Sequence, residues 1–246
     1  MNFSENNQNN PVIKTIDLWR TYRAGTHQEV HALKGVNMAV EAGSYFALKG
    51  RSGSGKTTLL NLIGGLDRPT KGSVRVFSIE LKDLKDKELT SFYRENVGFI
   101  FQAFGLSPIY SALENVEIVM QIAGKSRKQR RERAEYCLER VGLTKWMNHR
   151  IFELSGGQQQ RIAIARALAN EPRLILADEP TGKLDTATAR EIFSLFREIV
   201  ENEHVTVLMA AHDPLVDEYV DRVLQLQDGR IMQIEDAKNN VLTSYM

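Results

Sequence analysis

The sequence predicts an α/β protein with a largely parallel central sheet. Three observations carry this. Strand-like segments alternate with longer segments of helical period. Two strand-like runs, Leu174–Ala177 and Val205–Ala210, are apolar without alternation, the pattern of strands covered on both faces. A glycine-rich loop separates a third strand, Ser44–Lys49, from a helix over Gly55–Ile63.

Taken in order, the polar start MNFSENNQNN has no apolar core segment, so residues 1–11 read as a disordered tail and not a signal peptide. Residues 12–246 are long enough for one large domain. Val12–Leu18 and Leu33–Val40 read as strands, and the turn at Thr70-Lys71-Gly72 leads into another, Ser73–Phe77. Val97–Phe101 is a short apolar strand. Helices are expected over Ala112–Ala123, from a Ser126 cap to Val141 before Gly142, and over Gln158–Ala169. Thr186–Glu201 places Ile192, Phe193, Phe196, Ile199 and Val200 on one helical side. Arg222–Gln227 and Arg230–Ile234 form a hairpin about Asp228-Gly229. The helical block, about 103–165, interrupts the α/β core as a subdomain.

Composition excludes several classes. Hydrophobic residues make up 42% and charged residues 26%, ordinary for a soluble globular chain. A net charge of +1 implies no bulk attraction to nucleic acid or membrane. No run approaches the ~18 apolar residues of a membrane span. The single cysteine, Cys137, shares helical spacing with Ala134, Leu138 and Val141 and reads as core; a reducing, cytoplasmic setting is expected. Six of the nine residues Lys125–Arg133 are basic, but Glu132, Glu135 and Glu139 follow and no aromatics interleave. That reads as a solvated helix face, with no nucleic acid partner expected.

The chemistry-bearing residues fall in a few short stretches. Gly50-Arg51-Ser52-Gly53-Ser54-Gly55-Lys56-Thr57 fits G-x-x-x-x-G-K-[ST] between a strand and a helix, and Thr58 follows. Backbone amides of such a loop turn toward phosphate oxygens. Lys56 supplies positive charge at the terminal phosphates, and Thr57 offers a hydroxyl to Mg²⁺. Asp178 and Glu179 end a buried strand, where side chains face the ligand crevice of a parallel sheet. Asp178 is placed to reach Mg²⁺, and Glu179 to act as general base on an attacking water. Two solvated turn acids before Pro180 are the plain alternative. His212 follows another buried strand, where it is either a turn residue or a group that holds the γ-phosphate and water in line. Tyr22 is either a surface tyrosine or an adenine-stacking ring. At Leu154-Ser155-Gly156-Gly157-Gln158, a second helix start offers free amides to an anion.

Together these residues resemble the nucleotide-binding subunit of ATP-binding cassette (ABC) transporters, from Tyr22 to Ile234. LSGGQ at 154–158 is highly specific to that superfamily, and Gln102, Asp178–Glu179, the loop Gly182-Lys-Leu-Asp185 and His212 stand in the family order. The resemblance implies a P-loop ATPase core, an N-terminal antiparallel β subdomain and an inserted helical subdomain. It implies ATP and Mg²⁺ as cofactors, with Lys56, Glu179 and His212 catalytic and Thr57, Gln102 and Asp178 around the metal. It also implies a head-to-tail pair of chains, in which Ser155, Gly156, Gly157 and Gln158 of one chain, with Asp185, complete the nucleotide site held by Tyr22 and Gly50–Thr58 of the other. The two anion sites of one chain are then halves of different sites.

An integral membrane permease partner and a place on the cytoplasmic membrane face follow from the same resemblance. Leu62–Asp67, Phe99–Phe104, Ser111–Val116 and Ala177–Gly182 resemble the subfamily of lipoprotein release, macrolide and peptide efflux, and cell-division signalling. Alternatives are a mechanotransmission ATPase without transport and a soluble ABC ATPase acting on nucleic acid or the ribosome. The chain departs from the family's pattern at Lys183, at Phe77-Ser78, at Ile151 and at Thr57-Thr58, where asparagine or alanine, Asp-Gly, proline and Ser-Thr are common.

Overall fold

The computed structural model describes residues 11–24, 28–237 and 241–243. The tail expected over residues 1–11 lies outside them, apart from Pro11.

The central sheet has seven strands in the order β11-β10-β9-β3-β8-β7-β6. These are β3 (Tyr45–Lys49), β6 (Val97–Ile100), β7 (Leu174–Asp178), β8 (Thr206–Ala211), β9 (Arg222–Gln227), β10 (Arg230–Asp236) and β11 (Val241–Thr243). β6, β7, β8, β3 and β9 run parallel, and the β9–β10 hairpin adds an antiparallel edge. A second, antiparallel sheet has the order β2-β1-β4-β5, from β1 (Ile13–Ala24), β2 (Gln28–Val40), β4 (Lys71–Val76) and β5 (Ile79–Glu80).

The central strands lack alternation because both their faces are covered. Tyr45, Ala47, Ile175, Ala177, Val207 and Met209 enter one core, with Phe193 and Phe196. Their strand neighbours Phe46, Leu48, Leu174, Leu176, Leu208 and Ala210 enter the other, with Ile13, Leu18 and Leu60. The first core lies under α3 (Ala112–Ile122), α4 (Arg127–Arg140), α5 (Gly156–Leu168) and α6 (Thr186–Glu203). The second lies between the sheets, around α1 (Lys56–Ile63). Each such large side chain contributes about 1.5–3 kcal/mol when fully buried.

Three local differences from the sequence reading have physical causes. α2 (Asp86–Asn96) is not expected from the sequence, because its apolar stripe is one turn long, Leu89, Phe92 and Tyr93 among charged residues, with Phe92 alone fully buried. α5 begins at Gly156 rather than Gln158. Ser155 caps it by accepting from Gln158 N at 3.3 Å, while Gln158 Oε1 accepts from Ser155 N at 2.9 Å, a reciprocal box that fixes the start before the glycines. The β4–β5 turn stays tight without Asp-Gly. Phe77 and Ser78 take φ of 50° and 66°, the signs a two-residue hairpin needs. Phe77 is held there by Phe92, ring centroids 6.1 Å apart, and by the Arg173 guanidinium 4.3 Å from its ring.

Candidate nucleotide site

The site forms where β3, β7 and β8 end. Gly50–Gly55 leave β3 and turn into α1. Gly55 adopts φ 108°, and a Cβ there would stand 2.6 Å from the Ala32 carbonyl, so only glycine fits both the turn and the approach of β2. Arg51, Ser52, Gly53 and Thr57 are exposed, Gly50 and Thr58 are half-buried, and Ser54 and Lys56 are buried. Ser54 N donates to Arg51 O at 3.1 Å and Gly229 N to Ser54 O at 3.0 Å, pinning the loop to the β9–β10 turn.

Lys56 points back along the loop. Its Nζ donates to Gly50 O at 2.9 Å and Arg51 O at 3.4 Å, and lies 3.5 Å from Glu179 Oε1. Glu179 is the meeting point of the site. Gln102 Nε2 donates to its Oε2 at 3.0 Å, and His212 Nδ1 lies 3.7 Å from the same oxygen. Glu179 N donates to Ala210 O at 2.9 Å, so β8 fixes the residue as it leaves β7. Its φ of 46° is unusual for a non-glycine residue; such backbone strain gathers at functional sites.

Asp178, one residue earlier, shares a hydrogen bond with the Thr57 side chain. Burial raises its pKa from the ordinary carboxylate value, an effect that this bond and Lys56 oppose and Glu179 reinforces. Its Oδ1 is buried without a hydrogen-bond partner. A buried, unpartnered carboxylate oxygen beside a threonine hydroxyl is a hard oxygen donor set of the kind Mg²⁺ takes, so these residues fit that ion.

Tyr22 stands apart on β1, with its hydroxyl donating to Asp67 Oδ2 at 2.7 Å. Ser155, Gly156, Gly157 and Gln158 are directed elsewhere in the chain. A Cβ on Gly157 would come within 2.6 Å of Thr188 Cγ2, which Asp185 holds by capping α6 at 3.0 Å to Thr188 N and 2.7 Å to its hydroxyl. Gly157 thus has a packing reason to be glycine: α5 and α6 meet there. The structure therefore brings Lys56, Gln102, Asp178, Glu179 and His212 together around the phosphate loop. The LSGGQ helix start and Asp185 form a separate cluster, and Tyr22 a third.

Two further residues, Arg166 and Lys183, tie these parts together. Arg166, in α5, donates through Nη2 to Phe104 O at 2.8 Å and through Nη1 to Gly105 O, gripping the loop after Gln102. Lys183 Nζ lies 6.0 Å from the centre of the Phe104 ring. Arg166 has no signal of its own, being one of two arginines in that helix. Lys183 departs from the family's pattern, but nothing near it in sequence points to Phe104.

The family model for ABC transporters matches residues 33–182. The chain belongs to the ABC transporter family. This cassette is 44% identical to the uncharacterized ABC transporter ATP-binding protein MJ0796 of Methanocaldococcus jannaschii, over 92% of this chain and 98% of that protein. It is 47% identical to the lipoprotein-releasing system ATP-binding protein LolD of Anaeromyxobacter dehalogenans, over 90% and 93%. With the macrolide export ATP-binding/permease protein MacB of Rhodopirellula baltica it shares 44%, covering 94% of this chain and 34% of that longer protein. The fold matches a dimeric structure of a post-hydrolysis state of the MJ0796 cassette bound to ADP and Pi, with TM-score 0.84 and 42% identity over 92% of this chain and 98% of that one. The cassette is an ABC ATPase, with the α/β core and antiparallel β layer of that family.

Proposed function

We propose that this cassette powers a membrane permease of the efflux or lipoprotein-release type, as the names LolD and MacB suggest. Two copies pair head to tail, and each nucleotide lies between the phosphate loop of one and the Ser155 helix start of the other. The observation that carries the reading is the set of contacts at Glu179: Lys56, Gln102 and His212 all reach one carboxylate at the end of β7.

In this account the amides of Gly50–Thr58 and the Lys56 ammonium hold the phosphates of ATP. Thr57, Asp178 and Gln102 hold Mg²⁺, which offsets phosphate charge when bound. Glu179 accepts a proton from the attacking water, and His212 aligns water and γ-phosphate. Tyr22 stacks on the adenine. Ser155, Gly156, Gly157, Gln158 and Asp185 act across the dimer. The dimeric form of MJ0796, which this chain matches at TM-score 0.85 and 43% identity, supports the pairing.

Among the described residues no helix is long and apolar enough to cross a membrane. The reading places the cassette on the cytoplasmic membrane face, held by its permease, as the names LolD and MacB suggest. Of the apolar residues after Gln102, Phe104, Leu106 and Tyr110 are half-buried, whereas Ile109 is 72% exposed. Phe152 is 76% exposed, and Arg150, two residues before it, donates to the Ile109 carbonyl. Ile109 and Phe152 are thus the residues that receive a short cytoplasmic helix of the permease. The cassette domain proposed over 12–246 carries this surface on its helical block.

The test is Glu179→Gln. The purified variant should bind Mg-ATP with near-parental affinity while turnover falls by about 100-fold or more, because an amide cannot take the proton. Turnover at the parental rate overturns the assignment.

A further inference from the structure

Tyr22 is held at one face of its ring and at its hydroxyl. Arg20 lies two residues before it, on the same face of β1, with its guanidinium 4.5 Å from the ring centroid. The Tyr22 hydroxyl donates to Asp67 Oδ2 at 2.7 Å. Arg20 Nη2 meets Asp67 Oδ1 at 2.7 Å, and the Arg68 amide donates to that same oxygen at 2.7 Å. Both Asp67 oxygens are thus engaged, and Arg20, Tyr22 and Asp67 form a closed triangle.

Asp67 is itself anchored to α1, the helix that opens at the phosphate loop. Leu66 N and Asp67 N donate to Asn61 O at 2.9 and 3.3 Å. A second tie joins the same loop to β1: Thr70 N donates to Trp19 O at 2.9 Å, and Thr21 N to Thr70 Oγ1 at 3.0 Å. The ring of Tyr22 is therefore referenced to the helix that carries Lys56, although β1 and α1 are far apart in sequence.

We propose that Arg20 and Asp67 are positioning residues for nucleotide binding: they form a clamp that fixes Tyr22 and presents one ring face to a purine base. The proposal rests on the reading of Tyr22 as the base platform. Arg20 occupies one face of the ring, so a stacking ligand has the other. The hydroxyl tether and the covered face remove side-chain freedom before the nucleotide arrives, which lowers the entropic cost of stacking. Asp67 offsets the Arg20 charge, so the stack does not depend on a bare cation beside the base. A staple between β1 and the 66–70 loop with no part in binding is the competing account, and it predicts loss of stability without base-dependent loss of affinity.

The experiment compares two probes on the full chain by calorimetric titration: Mg-ADP, which has a base, and Mg-pyrophosphate, which has none. Arg20→Ala and Asp67→Ala should each weaken ADP binding about 3- to 10-fold and leave pyrophosphate binding unchanged. Arg20→Lys and Asp67→Asn, which disturb the fold least, should lose less than the alanine variants and show the same base dependence. Equal weakening of both probes, or no weakening of either, overturns the clamp. Tyr22→Ala separates this from the reading beneath it. If Tyr22→Ala weakens ADP but the Arg20 and Asp67 variants do not, the clamp alone fails. If Tyr22→Ala leaves ADP binding unchanged, the base platform fails and the clamp with it.

Discussion

Gln102 donates to the Oε2 of Glu179 at 3.0 Å, while Lys56 stands 3.5 Å from the other carboxylate oxygen. One acid thus joins the phosphate loop to the loop that leads, through Phe104 and Gly105, into the grip of Arg166 on α5. A change at the nucleotide has a continuous set of contacts along which to reach the helical block. Replacing Gln102 with alanine should keep ATP affinity within a few-fold but lower turnover by about 10- to 100-fold, as loss of a residue that orients a reacting group does. Steady-state kinetics resolve the two parameters. Full activity in the variant removes Gln102 from the site.

Lys56→Ala should lose nucleotide affinity outright, by about 100-fold or more, since it removes the buried charge facing the phosphates. Calorimetry with Mg-ADP measures this directly. Affinity near the parental value means that the loop amides bind without the lysine.

Gly157→Ala tests the packing of α5 on α6. Its Cβ would stand 2.6 Å from Thr188 Cγ2, against 3.4 Å to Leu184 Cδ2 for one on Gly156. The Gly157 variant should lose about 1–3 kcal/mol of stability, as overpacked sites do, and Gly156→Ala distinctly less. Denaturant melts of the isolated cassette decide it. Equal costs at both positions contradict the account of Gly157.

Cys137 is buried in the helical core, and burial pushes its thiol up to about 11. A raised folded-state pKa means that its contribution to stability is present below the ordinary thiol value of 9.0 and is lost as pH rises through about 11. In the native protein at pH of about 8 the thiol should resist an aromatic disulfide reagent, and react at once in denaturant. Rapid native labelling contradicts the packing described.

Charged substitutions at Ile109 and Phe152 should weaken co-purification with the membrane partner and spare nucleotide binding by the isolated chain. Full assembly by both variants moves the docking surface elsewhere.

Much of this was legible in the sequence, and the reasons are particular. β7 and β8 were readable because strands covered on both faces are apolar throughout, as at Leu174–Ala177. The phosphate loop was readable because its glycines, lysine and threonine are fixed by backbone geometry within eight consecutive residues. α2 was not, since Leu89, Phe92 and Tyr93 make an apolar stripe of only one turn, too short to stand out among its charged residues. The gathering of Gln102, Glu179 and His212 came only from resemblance, because residues on three different strand ends carry no mutual spacing. The ties made by Arg20, Asp67 and Arg166 were invisible for the same reason: each is a long polar side chain reaching across the fold.

The central claim is that one chain holds two halves of different sites, and mixing two variants tests it most directly. Lys56→Ala and Ser155→Arg each damage both sites of their own homodimer. In a head-to-tail mixed dimer, Lys56 of one chain faces Ser155 of the other, so both lesions fall in one site and the other stays whole. Neither variant alone should dimerise with ATP, measured by sedimentation, whereas an equal mixture should recover part of the parental dimer. A mixture that dimerises no better than its separate components contradicts the shared site.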